Sequence, residues 1–526
     1  MTMMLPLEIT APTIEFRQLA PILILFGAAC AGVLVDALML GRSRRWRGEV
    51  QIGLVVGGVL AALAYTVANL RLGPVGAVGM GSIMLDGPTA VMWVLLLVFG
   101  LLAVMVFKEE RLAGVPVFAS SAATVPGSRE EAEADRFRLE QTEVFPLALF
   151  SLTGMLVFVS ANDLLTLFVG LEVFSLPLYL MCGMARKRRL LSQEAALKYF
   201  LLGAFSSGFF LFGIAMLYGF SGSFDLGTIA AAVTAPAYGR GLLYAGLALV
   251  AVGLLFKIGI VPFANWIPDV YMGAPTPLTG FMAICTKMAA VGATLRVFYV
   301  ALGAERWTWQ PVFAVLAIIT MIAGTVAALT QRDVKRLLAY SSIAHAGFIF
   351  TAVTGASQDV GAGQPTSVSA ILFYLAAYGF ATVGAFAIVT LVRNPASEEN
   401  DLDGWAGLAA KRPWVAGLMS LFLLSFAGIP PTAGLMGKWA VFAAAWRGGY
   451  WWLVVIAVLT SLVAAYIYLK VIVIMFARPP APNTYVGEAS LWTWIPIVVG
   501  AVATLVLGIA PDLLLGPASL LGTFLR

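Results

Sequence analysis

Apolar positions in this chain run in long blocks rather than in alternation. A window of about 19 residues picks out 14 apolar runs, at roughly 19–40, 51–70, 89–107, 143–161, 163–183, 196–219, 241–261, 276–301, 310–329, 336–355, 367–392, 415–446, 450–477 and 489–511. A helix needs about 20 such residues to cross the hydrocarbon of a bilayer, so the pattern predicts a polytopic helical membrane protein. Polar residues collect in the connections. The longest, 108–142, opens through an SSAATVPGS stretch and then sets Arg129, Arg136 and Arg138 among Glu130, Glu131, Glu133, Asp135 and Glu140. It predicts a flexible loop and a short solvated helix carrying no chemistry.

Two of the runs contain the same interruption. Leu254 to Pro262 and Leu423 to Pro431 both read LLxxxGIxP, 169 residues and five predicted spans apart. Five is odd, so the copies enter the membrane from opposite sides, as inverted-topology repeats do. Proline lacks a backbone donor and clashes with the preceding turn, so each helix is expected to break there. Non-helical backbone at membrane depth survives only inside protein or beside a wet cavity. An intramembrane lysine stands near each break: Lys257 before Pro262 and Lys438 after Pro431.

Composition sharpens the class. In 526 residues, 61% are hydrophobic and 11% charged, against about 25% charged in ordinary globular chains, and mean hydropathy is +0.94. A soluble enzyme and a dedicated nucleic-acid module are excluded. Cys30, Cys182 and Cys285 lie apart in apolar runs and His345 is the single histidine; zinc, iron–sulfur or bis-histidine haem ligation within the chain is not expected. The N-terminus has no basic segment before its first apolar run, which predicts a mature end rather than a signal peptide.

The net charge of +5 sorts by side instead of marking a polyanion partner. Alternate connections hold Arg42, Arg44, Arg45 and Arg47; Lys108, Arg111, Arg129, Arg136 and Arg138; Arg186 to Arg189; Arg332, Lys335 and Arg336; Arg393, Lys411 and Arg412; and Arg478. The other side holds Arg17, Arg71, Arg240, Arg296, Arg306, Arg447 and Arg526. Twenty against seven predicts an even number of spans with both termini outside. The remaining five cations, Lys198, Lys257, Lys287, Lys438 and Lys470, fall inside spans, and none is arginine. Lysine can give up its proton when desolvated and arginine cannot, so the choice points to proton chemistry. Snorkelling near a span end is the other reading for Lys470 and Lys198. Glu172 stands midway through the fifth span and needs a proton or a cation from a neighbouring helix. Asp36, Asp163 and Glu194 lie near span ends, where solvated or capping roles are expected.

LFVGLEVFSLPLYL, LLFKIGIVPFANWIPDVYMGAPTPLTGF, QRDVKRLLAYSSIAHAG and LSFAGIPPTAGLMGKW together resemble the antiporter-like subunits of bacterial proton-pumping NADH:quinone oxidoreductase, respiratory complex I, over roughly residues 140–480. The resemblance implies an all-α protein of 14 transmembrane helices with two inverted five-helix repeats, helices seven and twelve broken. The divisions become 1–142, three helices and the mixed-charge cytoplasmic loop; 143–301, the first repeat; 310–477, the second; and 478–526, the last helix and tail. It implies proton-path roles for Glu172, Lys257, Lys287 and Lys438, with His345 and Lys198 as further candidates; a lone buried histidine can also be purely structural. Ending at Arg526 sets the chain apart from subunit L, with its long lateral helix, and Lys438 sets it apart from subunit M, which has an acid there.

The implied mechanism is a charge switch. Glu172, within ion-pair reach on an adjacent helix, holds Lys257 protonated; weakening that pair sends the proton to Lys287 and out through Lys438. Moving one charge against 100 mV costs about 2.3 kcal/mol, within reach of a buried pair. The chain itself would hold no cofactor and do no redox chemistry, as the non-redox, proton-translocating subunit of an enzyme. NADH, FMN, iron–sulfur clusters and quinone belong to partner subunits. Expected partners are the other membrane subunits of complex I, antiporter-like neighbours included, and the lipid bilayer of the bacterial plasma membrane, with no nucleic acid. An Mrp-type cation/proton antiporter subunit is the alternative.

Overall fold

The computed structural model describes residues 14–38, 44–71, 73, 75–109, 117–119, 125, 127–136, 142–236, 239–356, 366–395 and 397–525. Most of the predicted 108–142 loop, the N-terminal end, and Arg42, Arg111, Arg138 and Arg526 of the side assignment lie outside the described residues.

The described chain is almost wholly helical. α1 (Phe16–Leu38) and α2 (Arg44–Leu70) pack on each other and lead through a hairpin, β1 (Gly76–Val78) on β2 (Ile83–Leu85), into α3 (Gly87–Met105). The exposed α4 (Arg129–Arg136) is the short solvated helix. Then come α5 (Val144–Ser160), α6 (Leu164–Cys182), the 33-residue α7 (Arg189–Ser221), α8 (Leu226–Thr234), α9 (Gly241–Ile258) and α10 (Trp266–Gly273). α11 (Thr276–Phe281) passes through a π turn at Met282–Thr286 into α12 (Lys287–Arg296), and a second π turn ends this span at Ala301. α13 (Arg306–Leu329), α14 (Val334–Thr354), α15 (Ser367–Leu391), β3 (Val392–Arg393) and the short α16 (Leu408–Lys411) follow. The chain closes with α17 (Pro413–Ala427), α18 (Ala433–Arg447), α19 (Trp451–Ala477), β4 (Tyr485–Val486), α20 (Leu491–Ile509) and α21 (Asp512–Leu520). β4 pairs antiparallel with β3, tying the segment after α15 to the one before α20.

Twelve of the described helices are long and apolar enough to cross a membrane, and α5 and α17 are shorter apolar helices. Both LLxxxGIxP segments break. α9 stops at Ile258 and α17 at Ala427, each capped by a left-handed glycine, Gly259 at φ 87° and Gly428 at φ 81°. Each glycine admits that backbone where a Cβ would be strained, and helix resumes only at Trp266 and Ala433.

Capping explains where several spans begin. Asp86, Asp163, Asp225 and Asp333 each accept the backbone N–H three residues on, satisfying donors a helix start leaves orphaned, at about 1 kcal/mol each. The caps also pair. Leu164 N donates to Phe224 O and Leu226 N to Asn162 O, joining Asp163 to Asp225; Val334 N donates to Asn400 O and Leu402 N to Arg332 O, joining Asp333 to Asp401 in the same way.

The core lies around α11–α12, α14 and α15, while α1, α2, α7 and α19 form the rim. Lipid offers no hydrophobic drive between helices, so close contact through small residues does the holding. A Cβ on Gly154 of α5 would stand 2.5 Å from Phe174 N on α6, and one on Gly324 of α13 would stand 2.6 Å from Ala344 N on α14.

Three sequence expectations change. Arg296, assigned to an outer connection, is wholly buried inside its span; its Nη2 lies 2.8 Å from Asp86 Oδ1 and its Nε donates to Val159 O. An arginine therefore does lie inside an apolar span, near its end, held by the Asp86 carboxylate that caps α3. Lys335 is buried as well, donating to Ala274 O at 2.7 Å. Asp36 is not solvated: it accepts from Thr142 Oγ1 at 2.5 Å and Gln51 Nε2 at 2.8 Å, tying α1 and α2 to the start of α5.

Candidate functional site

Lys257 occupies the last turn of α9, where Gly259 ends the helix, and is 2% exposed. Its ammonium donates to Ser175 Oγ at 2.8 Å and to Tyr179 OH at 3.1 Å. The rings of Phe174, Tyr179 and Tyr199 lie 5.5, 5.1 and 5.2 Å from the charge, at cation–π range. Glu172, Ser175 and Tyr179 share one face of α6, spaced by three and four residues.

The expected ion pair is not formed. No oxygen of Glu172 comes within 4.0 Å of a cation among the described residues, and its Oε1 is buried without a hydrogen-bond partner. The ammonium sits further along the α6 face, where two neutral oxygens satisfy it. Glu172 stands one turn before Ser175, whose hydroxyl Lys257 bonds.

Lys287 opens α12 directly after the π turn, a device that re-aims side chains and recurs at functional sites. It is 2% exposed and donates to Ser342 Oγ at 2.5 Å and to the Ser342 carbonyl, with the Tyr378 ring 5.2 Å from Nζ. Ser342 is one turn before His345 on α14. His345 Nδ1 lies 2.6 Å from Tyr374 OH and Nε2 3.4 Å from Tyr468 OH, which in turn lies 2.5 Å from Ser341 Oγ. The imidazole packs 4.8 Å from the Tyr378 ring and 5.5 Å from Phe426.

Lys438 reaches back from α18 to the end of α17. It donates to Phe426 O at 2.9 Å, Ala427 O at 2.8 Å and Ser461 Oγ at 2.7 Å. Those carbonyls are freed by the break, and they form the negative end of the α17 dipole, so the break itself supplies the lysine's counter-charge.

The other two span lysines lie elsewhere. Lys198 is 41% exposed and pairs with Glu194 at 2.6 Å and Asp269 at 2.7 Å, the latter also 3.6 Å from Arg336. Lys470 is exposed on α19.

The buried groups gather in two clusters, one around Lys257 and one from Lys287 through His345 to Lys438. Lys257 lies against Ser175 and Tyr179; Lys287 against Ser342 and Tyr378; His345 against Tyr374, Tyr378 and Tyr468; Lys438 against the carbonyl of Phe426, whose ring touches His345. Hydroxyl oxygens both donate and accept, so each of these lysines keeps a partner whether or not its amine carries the proton. The serines and tyrosines were not singled out from the sequence. The available signal was spacing: Ser175 and Tyr179 share the face of Glu172, and Ser342 that of His345.

Residues 161–464, which include Glu172, Lys257, Lys287, His345 and Lys438 but not Tyr468, match the family model described as NADH:quinone oxidoreductase/Mrp antiporter, transmembrane. NADH-quinone oxidoreductase subunit N of Cutibacterium acnes is 49% identical, covering 99% of this chain and 97% of that one. The subunit N protein of Acidothermus cellulolyticus is 50% identical, covering 99% and 98%. The chain belongs to the NADH:quinone oxidoreductase/Mrp antiporter family, among the subunit N proteins. A chain of respiratory complex I from Thermus thermophilus with bound aureothin superposes with a TM-score of 0.74 at 32% identity, over 94% of this chain and 98% of that one. A chain of the Mrp complex from Dietzia sp. reaches a TM-score of 0.78 at 19% identity, over 97% of each, a likeness of fold. Lys257, Lys287 and Lys438, each with a hydroxyl partner, lie within the matched segment.

Proposed function

We propose that this chain carries protons across the bacterial plasma membrane as subunit N of NADH-quinone oxidoreductase, using Lys257, Lys287, His345 and Lys438 as the path and Glu172 as its electrostatic control. One observation carries the reading. Three lysines are buried at membrane depth, each cradled by neutral oxygens instead of an ion-pair carboxylate, in a span set where an unneeded charge is costly. Lys198 lies off this line and acts at its inner edge.

The path has 14 crossings and two inverted repeats as its frame. In support, the two breaks share a left-handed glycine at the same place in LLxxxGIxP, and the Asp163–Asp225 and Asp333–Asp401 cap pairs repeat one arrangement. Positive residues then put both termini outside. NADH, FMN, iron–sulfur clusters and quinone reside in partner subunits, whose redox steps change the field at Glu172 and release the Lys257 proton.

The test is NADH-driven proton uptake by inside-out vesicles, with assembly checked on a native gel. Lys257→Ala is expected to assemble and to lower the proton-to-electron ratio. Lys257→Arg keeps the charge and lowers it too, because a guanidinium holds its proton at any accessible pH. A wild-type ratio in an assembled Lys257→Ala complex overturns the reading. Proton-dependent sodium flux in vesicles without NADH-oxidising partners would favour the Mrp-type alternative.

A further inference from the structure

The two broken helices differ in one informative respect. Seven residues after the shared proline, the second repeat has Lys438 and the first has Asp269; five residues before it, the first has Lys257 and the second Phe426. In the second repeat the amine at the later position bonds the carbonyl at the earlier one, Lys438 Nζ to Phe426 O. In the first repeat the later position points to the inner edge: Asp269, on α10, accepts from Lys198 at 2.7 Å and lies 3.6 Å from Arg336, with about a third of its side chain exposed.

Two stacked aromatic side chains connect the helix of this acid with the buried amine. Trp266, one turn before Asp269 on α10, donates its indole N–H to Phe256 O and stacks on Tyr199 with ring centroids 4.6 Å apart. Tyr199 follows Lys198 on α7, is fully buried, and lies 5.2 Å from Lys257 Nζ. Its hydroxyl has no hydrogen-bond partner among the described residues, unusual for a buried polar group. Tyr199 thus touches both Trp266, one turn from Asp269, and the buried lysine.

We propose that Asp269 is the inner-side proton-loading residue of this chain, the inverted counterpart of Lys438, and that it hands protons past Tyr199 to Lys257. A proton from the inner aqueous phase binds a carboxylate oxygen of Asp269 and loosens its bonds to Lys198 and Arg336. It then passes by way of the Tyr199 hydroxyl to the neutral Lys257 amine, and the regenerated carboxylate recovers its cations. The proposal rests on the proton-translocating reading above.

Inside-out vesicles expose this face to the medium, so uptake is read directly. Asp269→Asn is expected to assemble, oxidise NADH and show a lowered proton-to-electron ratio, while Asp269→Glu restores it. Glu194→Gln removes the other carboxylate held by Lys198 and is expected to leave the ratio unchanged; Arg336→Gln, which removes a cation from Asp269 but leaves its carboxylate, is expected to pump at or near the wild-type ratio, whereas a merely structural ion-pair role predicts that it lowers the ratio as Asp269→Asn does, and that outcome overturns the proposal. If Lys257→Ala lowers the ratio and Asp269→Asn does not, the loading role fails and the proton path stands; if neither lowers it, the path itself fails. Should Asp269→Asn not assemble, Asp269→Ser and Asp269→Ala are read in its place, and failure of all three makes the carboxylate an assembly element and overturns the proposal.

Discussion

Buried charge in this chain follows two designs, visible one residue at a time. Arg296 and Asp86 are both 0% exposed and bonded at 2.8 Å, with Thr89 Oγ1 a second acceptor for the guanidinium. Lys257, Lys287 and Lys438 have hydroxyls and carbonyls instead. A buried pair that loses one partner leaves the other charge uncompensated, at about 3–5 kcal/mol. Arg296→Leu is therefore expected to lower the melting temperature of the purified complex or prevent assembly on a native gel. Lys470→Ala, on an exposed face of α19, is expected to change stability by no more than about 0.5 kcal/mol. A fully stable Arg296→Leu complex would show that the pair does not hold α3 to α12. The lysines were legible in the sequence because a cation in an apolar run stands out. The Arg296–Asp86 pair was not, because its members are 210 positions apart and Arg296 falls near a predicted span end. The hydroxyl cradles were hidden for a related reason: serine and tyrosine are ordinary in membrane helices, and only packing of α6 on α9, or α14 on α12, gives them a partner.

At the scale of the element, glycine and proline carry the message. Both breaks were legible because no helix continues through a glycine and a proline set this way, and the span limits mostly lie within a few residues of the apolar runs. One exception has a physical cause. α7 begins at Arg189, several residues before its apolar run, because Glu194 and Lys198 bond across one helical turn. The twelfth run is two helices, α17 and α18, as its LLxxxGIxP segment predicts, with Gly428 turned left-handed between them. Gly428 also leaves room for Lys438: a Cβ there would lie 2.9 Å from Lys438 Cδ. Gly428→Ala imposes a left-handed alanine, about 1–2 kcal/mol, and pushes Lys438 off the carbonyls of α17. A lowered proton-to-electron ratio is expected in an assembled Gly428→Ala complex. Gly417→Ala, on the exposed face of the same α17 with nothing within 4 Å of the added carbon, is the control and should pump as wild type; equal ratios in both variants would separate the break from proton exit.

On the scale of the molecule, the path has to cross from one half to the other, and the middle of that crossing is the best-packed part of the protein. Lys287 stands on α12 and Ser342 and His345 on α14, both within the wholly or nearly wholly buried spans, and the proposed path runs from Lys257 to Lys438 through them. A series arrangement makes a prediction that parallel channels do not. In series, losing either end stops the flow, and losing both stops nothing more; effects of groups acting as a unit are strongly non-additive. Lys257→Ala and Lys438→Ala are each expected to lower the proton-to-electron ratio of the assembled complex to a common value, and the double variant is expected to stay at that value. Two independent routes, one per repeat, would instead give two partial losses that add in the double variant. Additivity would assign each repeat its own channel and leave His345, with its tyrosines, as packing between them; non-additivity joins the first break to the second through the hydroxyl-linked centre.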